Sequence, residues 1–176
     1  VRLLSCGTLT QIQGPSFALD GKVDGKFALD EWLNLNSFIA RLFGGLVRGF
    51  MGFAVWVMRY GLEEDSRHMG SESISDTRIH VACEWIKQGG QRLLRESLLN
   101  SLSIKPENAN HGSSSARGSL YTGIGGFNLE RWVFWKRRLT ELRKGVGASI
   151  HAPIDEAITT MTVVEKLVAI NASRQV

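Results

Sequence analysis

Residues 77 to 99, Thr77-Arg78-Ile79-His80-Val81-Ala82-Cys83-Glu84-Trp85-Ile86-Lys87-Gln88-Gly89-Gly90-Gln91-Arg92-Leu93-Leu94-Arg95-Glu96-Ser97-Leu98-Leu99, decide the fold. Ile79, Ala82, Trp85, Ile86, Leu93 and Leu94 recur at steps of three and four, the period of an amphipathic helix, with Asp76 placed to cap its start. Each glycine inside such a helix costs about 1 kcal/mol relative to alanine. Gly89-Gly90 therefore marks either a kink or a neighbouring helix pressed against bare backbone. Because the apolar stripe resumes beyond the pair, close packing is the expected explanation.

The same period continues on both sides. Leu35, Phe38, Ile39, Leu42 and Leu46 give an amphipathic helix over 32–46 with Asp30 as its N-cap, and Asn34, Asn36, Ser37 and Arg41 are expected on its other faces. Residues 48–64 carry Phe50, Phe53, Ala54, Val57 and Met58 on one side and Val55, Trp56 and Tyr60 on another; a helix apolar nearly all round is expected to lie centrally. Downstream, Asn128 caps a helix over 128–145 with the stripe Leu129, Trp132, Trp135, Leu139, Leu142 and Val146, closed by Gly145 and Gly147. After Pro153, Ile154, Ala157, Ile158, Met161, Val164 and Val168 define a last helix over 153–170.

The expectation is an all-α fold: an irregular bundle of about five helices packed around Phe38, Phe53, Trp56, Trp85, Ile86, Trp132 and Trp135. Residues 1–31 form an irregular leader, 32–170 one helical domain and 171–176 a tail. Within the domain, the Gly/Ser-rich residues 101–127 make a long loop, either disordered or folded back on the core through Leu120, Tyr121 and Phe127.

Composition narrows the function classes. A chain of 176 residues with 43% hydrophobic residues is long and apolar enough for one packed domain. The two cysteines, Cys6 and Cys83, provide no disulfide framework, and Val1-Arg2-Leu3-Leu4 is too short an apolar run for a signal peptide, so an intracellular protein of cytoplasm or nucleus is expected. The apolar run from Gly49 to Met58, closed by Arg48 and Arg59, is about half the roughly 20 residues a membrane span needs. No membrane association is expected.

Four segments resemble a known family: Trp32-Leu33-Asn34-Leu35-Asn36-Ser37-Phe38-Ile39-Ala40-Arg41-Leu42; Ala54-Val55-Trp56 leading to Leu62-Glu63-Glu64; Ala82-Cys83-Glu84-Trp85-Ile86 with Gly89; and Glu130-Arg131-Trp132-Val133-Phe134-Trp135. In order and spacing, over about residues 31–168, they resemble a fungal (ascomycete) family of uncharacterised helix-rich proteins, a domain of unknown function. The resemblance implies a helical fold in an intracellular fungal protein and assigns no catalytic residue. Members tend to carry further helical sequence ahead of Asn34-Leu35-Asn36, where residues 1–29 here read as irregular, so the completeness of the domain is left open.

Four local patterns suggest chemistry. Asp20-Gly21-Lys22-Val23-Asp24-Gly25, ending at Glu31, follows a calcium loop at Asp20, Asp24 and Glu31, but Lys22 puts a cation where an oxygen ligand belongs, so no metal is expected. The basic helix carries Arg131, Lys136, Arg137, Arg138, Arg143 and Lys144 against Glu130 and Glu141, an excess equal to the chain's net charge of +4. Such a basic surface gains from counterion release on phosphates, yet Trp132 and Trp135 fall on the apolar stripe and leave no stacking platform. His80 and Cys83 are one turn apart and Glu84 is four residues after His80, a spacing that could converge on a metal or activate the thiol, but only two or three weakly oriented ligands are present, so a partly buried cysteine beside a surface histidine is expected. Gly123, Gly125 and Gly126 precede a helix but lack the strand and lysine of a phosphate loop.

The leading expectation is a non-enzymatic helical protein acting through protein contacts, since no catalytic constellation is visible and the charge segregates into acidic 62–76 and basic 128–145. No cofactor and no catalytic residue are expected. The alternatives are an enzyme or small-ligand binder with a pocket between helices and, more weakly, nucleic-acid association through the basic helix.

Overall fold

The computed structural model describes residues 29–45, 49–65, 72–103 and 115–173. Among them are five α-helices and no strand: α1 Leu29–Gly44, α2 Met51–Leu62, α3 Glu72–Leu98, α4 Leu129–Leu142 and α5 His151–Ser173, with a short 3-10 turn at Ala148–Ile150. The fold is all-α, a loose bundle. α3, with 27 residues, is the long central element, and each of the other helices packs against it. α2, expected at the centre, is a flanking helix of 12 residues. Its inner face buries Ala54, Val55, Val57, Met58 and Leu62, while Phe53 and Trp56 are only half-buried. Trp56 packs against Tyr60 with the rings tilted by 38°, and the Arg59 and Arg78 guanidiniums cover the Tyr60 ring at 5.1 and 5.4 Å.

Gly89-Gly90 lies within an unbroken α3, and both residues are buried. A Cβ on Gly89 would stand 2.9 Å from the Phe43 ring of α1, and one on Gly90 3.1 Å from Thr160 of α5. Bare backbone thus lets two helices approach α3 on different sides, as the resumption of the stripe implied. α1 returns the relation: a Cβ on Gly44 would meet the Gln88 carbonyl oxygen at 2.4 Å.

Two helix ends show how local chemistry sets the boundaries. α3 stops where Asn100 turns left-handed, φ 51°, so that Ser101 N–H donates to the Glu96 carbonyl and Asn100 N–H to that of Ser97. This is a Schellman closure with asparagine in place of glycine. α4 starts at Asn128, whose Oδ1 accepts the Arg131 N–H at 2.8 Å. The proposed caps Asp30 and Asp76 instead lie inside their helices, because α1 begins at Leu29 and α3 at Glu72. α5 likewise runs to Ser173, so 171–173, expected as tail, are helical.

The buried face of α1 is rotated from its expected position. Trp32, Asn36, Ile39, Ala40 and Phe43 face the core, whereas Phe38 is 54% exposed and Leu35 and Leu42 are half-buried. The cause is polar: Trp85, fully buried on α3, needs an acceptor for its indole N–H and finds Asn36 Oδ1 at 3.0 Å. Asn36 completes itself by donating to the Trp32 carbonyl at 2.9 Å. Satisfying that donor outweighs burying one more phenylalanine.

Candidate functional site

The largest departure from the sequence expectation concerns charge. Arg131, placed among the basic surface residues, is fully buried, and so is Glu63 from the acidic segment. Sixty-eight residues apart, they form one ion pair: Arg131 Nε donates to Glu63 Oε1 at 2.6 Å and Nη2 to Oε2 at 2.9 Å. The remaining Arg131 donors reach the carbonyls of Ala116 at 2.9 Å, Gly126 at 2.8 Å and Ser115 at 3.4 Å. Glu63 also accepts from the Trp135 indole at 2.6 Å and from Gly118 N–H at 2.8 Å. All five guanidinium hydrogens and both carboxylate oxygens are thereby used, the condition under which a buried pair is tolerated.

The network holds residues 115–128 against the core. Tyr121 and Phe127 are buried as expected, although Leu120 is exposed. The Tyr121 hydroxyl donates to Asn128 at 3.1 Å, and burial pushes it up to about 12. Gly118 is required by proximity, since a Cβ there would lie 2.5 Å from that of Glu63. Gly126 adopts φ +79° and would carry a Cβ 2.1 Å from the Leu102 carbonyl oxygen. These loop glycines serve packing.

The other basic residues of 128–145 are largely matched by carboxylates. Lys136 pairs with Glu165, Arg137 and Arg138 with Glu141, and Arg143 holds Asp155 through two hydrogen bonds of 2.9 and 3.1 Å. That contact holds the Asp155 carboxyl below the usual carboxylate range. Lys144 stands exposed beyond them. A face so neutralised has less counterion to release on phosphates.

His80, Cys83, Glu84 and Lys87 line one side of a cleft of about 200 Å³, with Pro153 and Glu156 of α5 opposite. Lys87 closes on Glu156 at 2.9 Å, and the contact raises its ammonium above the ordinary value. Burial lowers His80 below the usual imidazole range, and burial together with the Glu84 charge pushes the Cys83 thiol up to about 12. Burial works against the Glu84 carboxylate, yet hydrogen bonds from Gln88 and Ser37, each 2.8 Å, and the Lys87 charge bring it below its ordinary value. Buried and with its proton held more tightly, the Cys83 thiol lacks the electropositive, exposed setting of a reactive cysteine. No group of three metal-ligating side chains occurs among the described residues. Of the calcium-loop residues, Asp20 and Asp24 lie outside the described residues, and Glu31 is exposed in the first turn of α1.

A neutral, apolar end emerges only in the folded bundle. α3 and α5 run parallel, as Lys87 to Glu156 and Gly90 to Thr160 show. α4 runs antiparallel to α5, with Arg143 at Asp155 and both Trp132 and Lys136 at Glu165. Phe127 N–H donates to the Ser101 carbonyl at 2.8 Å, tying the start of α4 to the end of α3. The end of α3, the start of α4 and the second half of α5 thus share one side of the molecule. There stand Leu98, Leu99 and Leu102, then Ile124, Leu129 and Val133, then Val163, Leu167 and Ile170, nine of the eleven exposed large apolar side chains. Residues 97–103, 118–129 and 167–173 contain no charged residue. The signal was available in sequence as three uncharged stretches, but only the packing brings them together.

No helix among the described residues is long and apolar enough to cross a membrane. In comparison with known proteins, the family described as "Protein of unknown function (DUF3632)" matches residues 16–139. No curated protein and no solved structure matches.

Proposed function

For a chain that belongs to the DUF3632 family of proteins of unknown function, we propose a non-enzymatic helical protein that acts through protein–protein contacts made by its neutral apolar end. One observation carries this: nine exposed large apolar side chains lie on the three elements that meet at this end, seven of them in segments free of charge. Exposed large apolar side chains concentrated in one region, rather than scattered singly, are a mark of interaction sites. The motive read from sequence, segregated surface charge, contributes less, because Glu63 and Arg131 meet in the core. The reading extends to an intracellular fungal protein, supported by the order of the four motif segments and by the free thiol of Cys83.

A photo-activated cross-linking residue at Leu99, compared with one at Lys144, tests the proposal in cells expressing the chain. Protein adducts from position 99 and few from 144 support it. Equal yields, or none, reject it.

The alternative of a small-ligand binder has its own observation in the cleft between α3 and α5, where polar groups converge. The internal closure of Lys87 on Glu156 weighs against it. Calorimetric titration with a mixed metabolite library reads it directly: heats lost on Glu84→Gln favour the cleft over the apolar end.

A further inference from the structure

We propose that the outer face of the α4–α5 pair docks a second copy of this chain about a two-fold axis, an inference that rests on the protein-contact reading and specifies its partner. Leu129 and Val133 stand one turn apart on α4, with Val133 61% exposed, and Val163 and Ile170 stand at seven-residue spacing on α5, with Ile170 50% exposed. Two adjoining helices therefore show apolar side chains outward after their cores are filled by Trp132, Trp135, Met161 and Val164.

Charge identifies the occupant. On this face Glu130 and Lys166 are exposed, one on each helix, and neither has an ion pair or a side-chain hydrogen bond among the described residues. The nearby Lys136 and Glu165 are already paired with each other, and so are the exposed Arg137 and Glu141. An isologous contact presents the same patch from both copies, so an axis through the apolar centre carries Glu130 of one copy to Lys166 of the other, twice. The face is complementary to itself in charge as well as polarity. A lipid surface is a poorer match, because membrane-lying helices flank their apolar side with several unbalanced basic residues, whereas here Lys136 is matched by Glu165, Arg137 by Glu141 and Lys166 by the exposed Glu130.

The contact is small. A 14-residue helix is about 21 Å long, and two helices set about 10 Å apart give a face of roughly 400 Å², below the about 800 Å² per partner of a standard interface. Weak pairing, with Kd on the order of tens of micromolar, is expected.

Sedimentation equilibrium of the full chain from about 5 to 300 µM, a range bracketing that affinity, tests the proposal. A rise from monomer to dimer mass is expected. Val133→Asp should hold the protein monomeric with an unchanged helical circular dichroism spectrum. E130K and K166E should each weaken association at least about tenfold, and the combined E130K/K166E chain should recover it. A monomer throughout the range, or a double variant no better than the single ones, overturns the inference. If the unmodified chain stays monomeric while the Leu99 cross-linker still captures other proteins in cells, the dimer falls and the protein-contact reading stands; if neither occurs, both fall.

Discussion

Replacing Arg131 by methionine would show whether the buried Glu63–Arg131 pair fastens the fold as the contacts imply. Methionine approximates the aliphatic stem but removes every donor. Glu63 would keep its Trp135 and Gly118 hydrogen bonds while its countercharge disappears. Removing one partner of a buried pair costs about 3–5 kcal/mol, chiefly through the unpaired charge left behind. The carbonyls of Ser115, Ala116 and Gly126 also lose their donor, and each adds about 1–3 kcal/mol where water cannot reach it. Opening of 115–128 to solvent relieves that second part, so about 3–5 kcal/mol is expected, a large share of a domain stability of about 5–15 kcal/mol. Urea unfolding at neutral pH should show a midpoint shift of that size. Limited proteolysis should find new cleavage near Arg117, which is exposed but held to Thr122 and Gly123 in the intact chain. The paired change to Glu63→Leu/Arg131→Met should not regain full stability, because Trp135, Gly118 and three carbonyls would still lack partners. A loss below about 1 kcal/mol for Arg131→Met, with the cleavage pattern unchanged, would refute the argument.

Other outcomes follow from the same contacts. Trp85→Ala should cost about 3–5 kcal/mol, since the ring is fully buried between Phe43 and Phe53 and its indole serves Asn36; thermal unfolding measures it, and an unchanged midpoint rejects the placement. Gly44→Ala should destabilise by about 1–3 kcal/mol because its Cβ would meet backbone oxygen. Gly145→Ala, with nothing within 4 Å, should be neutral or gain up to about 1 kcal/mol. His80 is held below its ordinary value by burial, so on acidification the unfolded chain takes up that proton first. Stability should therefore be level above about pH 7.5 and fall as pH drops through about 6.5 toward the folded value. Chemical denaturation across pH measures this, and His80→Gln should remove that slope. The Glu84 contribution has the opposite origin, a stabilised charged form. It is fully present above about pH 4.3 and is lost below that.

The fold was legible because its signals are local. The three- and four-residue spacing of Ile79, Ala82, Trp85 and Ile86, the cap at Asn128 and the resumed stripe after Gly90 depend on neighbours within a few positions. Partners distant in sequence were not. The face of α1 was misplaced because the acceptor requirement of Trp85 is invisible in residues 29–44; hydropathy alone favours Phe38 inward and Asn36 outward. Arg131 sits beside Trp132 on a helix otherwise rich in surface cations, and nothing local distinguishes it. Its carboxylate partner is 68 positions away. Each half occurs in one of the segments that carry the family resemblance, Leu62-Glu63-Glu64 and Glu130-Arg131-Trp132, and pairing them needs the packing. The neutral end was hidden for the same reason, as a property of three stretches that meet only in the folded bundle.

Hydroxyl-radical footprinting measures the occupancy of that end directly, by comparing the chain in its expressing cells with the purified chain diluted below its self-association range. Labelling of Leu98, Leu99, Leu102 and Val133 should fall in the cells while that of Phe38, 54% exposed on α1, stays the same. Equal labelling of all five side chains in both settings would contradict the claim that the neutral end is where this protein meets others.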